Sequence, residues 1–165
     1  MATNPTFAQL LRSPTLLLAF GFGSGLSPKA PGTVGTLAAI PLWWLLAQLP
    51  LNSYLLLVLL AALAGIVICG RAAERLGVHD HGGIVWDEFV GFWIAMAALP
   101  VTWSSLLIGF VLFRLFDILK PWPISWLDKK VSGGFGIMID DVIAGLAAAA
   151  VIYLGGMVTG WIPAA

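Results

Sequence analysis

Charge is scarce in this chain. Of 165 residues only 10% are Asp, Glu, Lys or Arg, against roughly 25% in an average soluble domain. A water-soluble monomer needs more polar residues than this to cover its surface. Neither sign is in excess, because eight basic residues balance eight acidic ones. No field of one sign attracts a polyanion, and nucleic-acid binding is excluded. The lone cysteine, Cys69, cannot form an internal bridge, which removes a disulfide-stapled secreted domain. The N-terminus does not place a basic region, an apolar region and a small-residue cleavage site in order, so no removable signal peptide is expected. What the chain has is apolar surface. It is 60% hydrophobic with a mean hydropathy of +0.99, which excludes disorder and defines a polytopic membrane protein.

The length suits one domain. Residues 1–32 read as an interfacial segment followed by a Gly-rich loop, and residues 33–165 as an all-α membrane helix bundle. Five short spans are predicted, at 33–49, 53–69, 84–99, 101–116 and 137–153. Leu99-Pro100 followed by Thr102, Ser104 and Ser105 predicts a turn, which divides 84–116 into two helices. The apolar piece Thr15–Phe22 is too short to cross and is expected at the interface or against the bundle. With a cytoplasmic N-terminus this topology puts every charged residue on the cytoplasmic side, whereas a four-span topology would place Lys120, Lys129 and Lys130 outside, against the positive-inside bias. The eight tryptophans are read as interface anchors.

The ionisable residues fall into patterns. Gly83-Ile84-Val85-Trp86-Asp87-Glu88 and Gly136-Ile137-Met138-Ile139-Asp140-Asp141 share the order Gly-Ile-apolar-apolar-Asp-acid, each at the start of a predicted span, with Gly91 and Gly145 following to allow close helix approach. A single acid there would need no explanation beyond the helix macrodipole, worth ~0.3–1 kcal/mol. Two acidic pairs at the membrane boundary carry a larger desolvation cost, and a shared cation accounts for them better. Neighbouring helical residues point about 100° apart, so not all four acids are expected to be ligands. An oxygen-only donor set selects Mg²⁺ or Mn²⁺ over zinc. Asp80, close in sequence to the first pair, is a further candidate ligand.

Arg114, Asp117 and Lys120 are spaced to share one helical face until Pro121 ends the helix. They form either a simple ion-pair ladder or a site in which Asp117 adds a metal ligand while Arg114 and Lys120 hold phosphate oxygens. The segment Gly21–Thr36 is neither a Walker A loop nor a dinucleotide fingerprint. It does offer free backbone N–H groups, the hydroxyls of Ser27, Thr33 and Thr36, and Lys29, just before a helix N-terminus, the makings of an anion nest. Two other patterns carry less. Cys69-x5-Arg75 has the spacing of a cysteine-phosphatase loop without its glycines, and an apolar setting leaves a thiol inert. His79 and His81, two residues apart beside Gly82-Gly83, read as a polar loop.

With these motifs in order, the sequence resembles the phosphatidylglycerophosphatase A family over roughly residues 20–150. The resemblance rests on Phe22–Pro28 with Pro31–Thr36, on Ile84–Gly91, on Arg114–Pro121 and on Gly136–Asp141. It implies a Mg²⁺-dependent, all-helical phosphatase of the bacterial inner membrane that hydrolyses phosphatidylglycerophosphate to phosphatidylglycerol and inorganic phosphate. It also implies that Asp87, Glu88, Asp117, Asp140 and Asp141 form the metal and catalytic group and that Lys29 contacts phosphate. Catalytic roles are expected for Asp87, Glu88, Asp117 and Asp141. Two routes stay open, direct attack by a metal-activated water and a phospho-aspartate intermediate. The competing classes are a phosphatase or transferase acting on another anionic lipid, a small cation transporter, and a non-catalytic membrane subunit. Transport would want acids at mid-span, not at span ends.

Overall fold

A computed structural model of the chain describes residues 4–78 and 81–159. Among them every regular element is helical. In chain order these are α1 (Phe7–Leu11), α2 (Pro14–Ala19), a 3₁₀ segment (Gly21–Leu26), α3 (Pro31–Leu46), α4 (Leu51–Leu76), α5 (Trp86–Ala95), α6 (Trp103–Leu119), α7 (Ile124–Lys130) and α8 (Gly133–Thr159).

Two helices, Leu51–Leu76 and Gly133–Val158, are long and apolar enough to cross a membrane, and Pro31–Leu46 is a shorter apolar helix. Their outer faces carry exposed leucines and valines, Leu56, Leu59 and Leu63 on α4 and Leu146 and Leu154 on α8, the composition of a lipid-facing surface. The expectation of five comparable spans is corrected at α5. In place of a span over 84–99 there is a ten-residue helix, about 15 Å long at ~1.5 Å per residue. Seven of its residues are buried: Trp86, Phe89, Val90, Gly91, Phe92, Trp93 and Ala95. Beyond its acidic first turn the helix is apolar all round and enclosed by its neighbours, which places it in the core of the bundle.

The helix break at Leu99-Pro100 is present. α5 ends at Ala95 and α6 starts at Trp103, where the Thr102 hydroxyl accepts the Ser105 N–H at 3.1 Å. This side-chain cap replaces one of the backbone partners that a helix N-terminus lacks. Thr15–Phe22 becomes α2 and its exit, with Ala19 and Phe20 fully buried against the bundle.

The core is aromatic around α5. Trp86 stacks on Phe89, Trp93 meets both edge-on, and Phe92 packs on Phe113 and Trp43. Three polar handles of this cluster find backbone carbonyls, whereas Trp43 Nε1 is buried without a hydrogen-bond partner. Trp86 Nε1 donates to the Ala61 carbonyl at 3.1 Å, Trp93 Nε1 to Ala39 at 3.2 Å, and the Tyr54 hydroxyl to Trp93 at 2.6 Å. In apolar surroundings each such bond removes a desolvation penalty of roughly 1–3 kcal/mol. Trp43, Trp86 and Trp93 are therefore core residues and not interface anchors, whereas Trp44, Trp103, Trp122 and Trp126 are exposed. Trp161 lies outside the described residues.

α5 and α8 touch backbone to backbone. A Cβ on Gly91 would stand 2.7 Å from the Asp141 carbonyl oxygen, and one on Gly145 would collide with the Gly91 carbonyl. The two glycines predicted to permit close approach thus face each other directly below the acidic residues.

Candidate active site

The N-terminus of α5 places Asp87 and Glu88 in its first turn, where no side chain caps the helix and the macrodipole favours negative charge. α8 delivers Asp140 and Asp141 differently. It begins at Gly133 with no acid in its first turn, so this pair sits about two turns inside the helix. The expectation that both acidic pairs open a helix is corrected here, and the dipole does not account for Asp140 and Asp141.

The helices bring together one carboxylate oxygen each from Asp87, Glu88 and Asp141, all within 4.8 Å of one another. Asp117, from the last turns of α6, lines the same half-open cavity of about 140 Å³, together with Lys120, Asp128 and Asp140. Asp140 and Asp141 are 6% and 3% exposed. Three carboxylates this close repel strongly in a medium of low dielectric unless a cation or proton compensates them.

The cations stand to one side. Arg114 pairs with Asp117 one turn along α6, and its Nη1 lies 3.8 Å from Glu88 Oε1. Lys120 pairs with Asp140 and, at 2.6 Å, with Asp128 on α7. Burial alone lowers the pKa of Lys120, and its hydrogen bonds to Asp128 and Asp140 outweigh that and raise it above the ordinary lysine value. Adjacency on the helix thus divides the α8 pair, with Asp141 turned to the carboxylate cluster and Asp140 to Lys120.

Several polar atoms in this region are buried without a hydrogen-bond partner: Glu88 Oε2, Asp141 Oδ2, Asp140 Oδ1 and Arg114 Nε. Orphaned carboxylate oxygens converging from separate helices, with no thiolate or imidazole beside them among the described residues, fit a hard divalent cation such as Mg²⁺.

The Gly-rich loop meets this site through backbone. A Cβ on Gly32 would collide with the Glu88 carboxylate and stand 3.1 Å from Arg114 Nη1. Its predicted phosphate-binding side chains lie elsewhere. The Ser27 hydroxyl donates to the Lys29 carbonyl at 2.8 Å, and Lys29 is exposed outside the residues that line the cavity. Thr33 is half-buried in the first turn of α3. Thr36 is fully buried and donates its hydroxyl to the Gly32 carbonyl at 2.9 Å, so that hydroxyl serves its own helix.

His81 is buried against Phe20, with Nδ1 accepting the Gly83 N–H at 3.0 Å, a turn-forming role. His79 and Asp80 lie outside the described residues. No phosphatase-type loop forms at Cys69, because α4 runs unbroken through residue 75 and Arg75 turns to the Ser13 hydroxyl. Asp128 lines the cavity although no motif pointed to it. Its only sequence signal is that of a lone acid beside Trp126 in a chain with few charges.

The site is thus a carboxylate-centred cavity with Lys120 in its lining and Arg114 packed behind it against Asp117, carried by an all-helical bundle. Comparison with known proteins gives the family. The family model for phosphatidylglycerophosphatase A matches residues 17–155. Phosphatidylglycerophosphatase A of Escherichia coli is 53% identical over 147 residues, covering 88% of this chain and 86% of the relative. Its namesake in Haemophilus influenzae is 49% identical over 152 residues, covering 91% and 93%. No solved structure matches the chain. The chain belongs to the phosphatidylglycerophosphatase A family and is a phosphatase.

Proposed function

We propose that this phosphatase removes the terminal phosphate of phosphatidylglycerophosphate, releasing phosphatidylglycerol and inorganic phosphate, with Mg²⁺ as its cofactor. The single observation that carries the reading is the meeting of Asp87, Glu88 and Asp141 from two helices, with Asp117 lining the same cavity. The names of the relatives support the substrate. Asp87, Glu88 and Asp141 would hold the metal, with Asp117 beside them. When bound, Mg²⁺ polarises the phosphoryl group and lowers the pKa of a coordinated water.

The chain's own groups supply the remainder. Arg114 offsets charge on the phosphoryl oxygens in the transition state, and Lys120 holds a phosphate oxygen of the bound substrate. Attack by a water oxygen on phosphorus forms one P–O bond as the ester P–O bond breaks, and the departing glycerol oxygen takes up a proton. A carboxylate of the cluster accepts the proton that the water loses. Lys29, Ser27 and Thr33 lie outside the cavity lining and take no part in this reading. The apolar bundle surface leaves the acyl chains in the bilayer while the phosphate meets the acids at headgroup depth. The bundle crosses the inner membrane several times, with the acidic end on the cytoplasmic face.

The test is phosphate release from a panel of lipid phosphomonoesters in mixed micelles, with Mg²⁺ and with chelator. The expected result is Mg²⁺-dependent turnover that is fastest on phosphatidylglycerophosphate. Equal turnover with excess chelator would remove the metal from the reading, and preference for phosphatidic acid would remove the substrate.

A further inference from the structure

Lys120 is held in an unusual way. It ends α6 in the left-handed conformation, with φ 42° and ψ 57°, a position normally given to glycine. A side chain there costs on the order of 1–3 kcal/mol and persists when its surroundings over-determine it. The surroundings here are two carboxylates from different helices. Nζ bonds Asp140 on α8 and, at 2.6 Å, Asp128 on α7. An ammonium has three N–H donors, and these two partners use two of them. All three residues line the cavity that holds the carboxylate cluster.

From this geometry we infer that Asp128 is a positioning residue, which keeps the Lys120 ammonium at the cavity mouth with one N–H open to a phosphate oxygen of the substrate. The inference rests on the lipid-phosphatase reading above. The two partners differ in setting, because the Asp140 side chain is 9% exposed and that of Asp128 is 38%. Asp140 draws the ammonium inward toward the helix. Asp128 draws it outward toward α7, and the ammonium stays at the rim because both pulls act. With Asp128 gone, Lys120 is left to the buried partner and its third donor no longer faces an arriving phosphate. The loss falls on substrate binding, because the carboxylate cluster is untouched.

The experiment measures kcat and KM for phosphatidylglycerophosphate in mixed micelles at fixed Mg²⁺. Asp128→Asn is expected to raise KM about tenfold, or ~1.4 kcal/mol, with kcat within about twofold. Asp128→Glu is expected to restore KM, since it returns the charge. In the double-mutant cycle, Asp128→Asn added to Lys120→Gln is expected to change KM no further, because the two act as one unit. Wild-type KM in Asp128→Asn overturns the inference. So does an equal loss added on top of Lys120→Gln, or a failure of Asp128→Glu to rescue. If Asp128→Asn does not fold, Asp128→Ser removes the same carboxylate and carries the same expectations. Absence of phosphate release by the wild-type protein would instead defeat the underlying reading, so the two failures are distinguishable.

Discussion

At residues 83–88 the acidic pair opens α5, while at 136–141 the same residue pattern lies well inside α8. In the first segment both acids reach the shared centre, and in the second only Asp141 does, with Asp140 turned to Lys120. The difference follows from side-chain length and helical phase. Consecutive residues diverge by about 100°, and the extra methylene of Glu88 lets it bend back to where Asp87 points. Asp140 has no such reach and finds a lysine instead. The setting differs as well, since the α5 pair gains from the helix N-terminus and the α8 pair depends wholly on partners. A sequence repeat thus became two unlike parts of one site: α5 gives the cluster two carboxylates, while α8 gives it one and turns its other acid to Lys120.

The two α8 acids can be neutralised separately. Asp141→Asn is expected to lower kcat by roughly 10³-fold or more, as does loss of a group that directly stabilises the transition state. Asp140→Asn acts on Lys120 and is expected to cost about 10–100-fold in kcat/KM, chiefly through KM, the range for groups that support a site from outside. Equal losses in the two variants, measured as phosphate release, would show that the α8 pair is not divided as described.

A binding measurement probes the same division without turnover. Mg²⁺ at about 100 times its Kd stabilises a folded protein by ~2.7 kcal/mol. The Tm in detergent is expected to rise with Mg²⁺ for the wild-type chain and for Asp140→Asn, and not for Asp141→Asn. A rise in all three would move the cation away from the α5–α8 cluster.

Glu88→Asp tests whether length accounts for the asymmetry of the pairs. It is expected to lower the apparent Mg²⁺ affinity about tenfold, within the range for perturbed metal sites, as read from the Mg²⁺ concentration at half-maximal rate. An unchanged value would mean that Glu88 does not need its reach.

The smallest effects are expected below the acids. Gly91→Ala and Gly145→Ala each put a methyl into an opposing carbonyl, and overpacking of this kind costs ~1–3 kcal/mol. Both should lower Tm by similar amounts, because they press on one contact from its two sides.

Much of the site was legible in the sequence because charge is so rare in this chain. In an apolar chain each carboxylate carries a desolvation cost, so the acids that persist mark a function. Asp87, Glu88, Asp117 and Asp141 stood out on that ground and line one cavity in the structure, and the break at Pro100 was read from local backbone sterics. Harder to see was how much lipid each helix would meet. Residues 84–99 are apolar whether a membrane or a ring of helices surrounds them, so α5 read as a span. α7 escaped notice because seven residues between two prolines and a glycine pair make fewer than two helical turns, too few to set a pattern. Asp128 was missed with it, since its meaning comes from Lys120, which is close in space only once α7 folds back. Thr36 looked available because a sequence does not show that its hydroxyl is consumed by the preceding turn.

The glycine contact between α5 and α8 has one more effect. Gly91 lies one turn beyond Asp87 and Glu88, and Gly145 one turn beyond Asp141, so the helices meet main chain to main chain just under the acids. No rotamer can expand or shrink that seam. The spacing of the two helices beneath the carboxylates is thus set by main-chain contact, and a change of detergent, lipid thickness or temperature is expected to disturb it less than it would a seam of leucines.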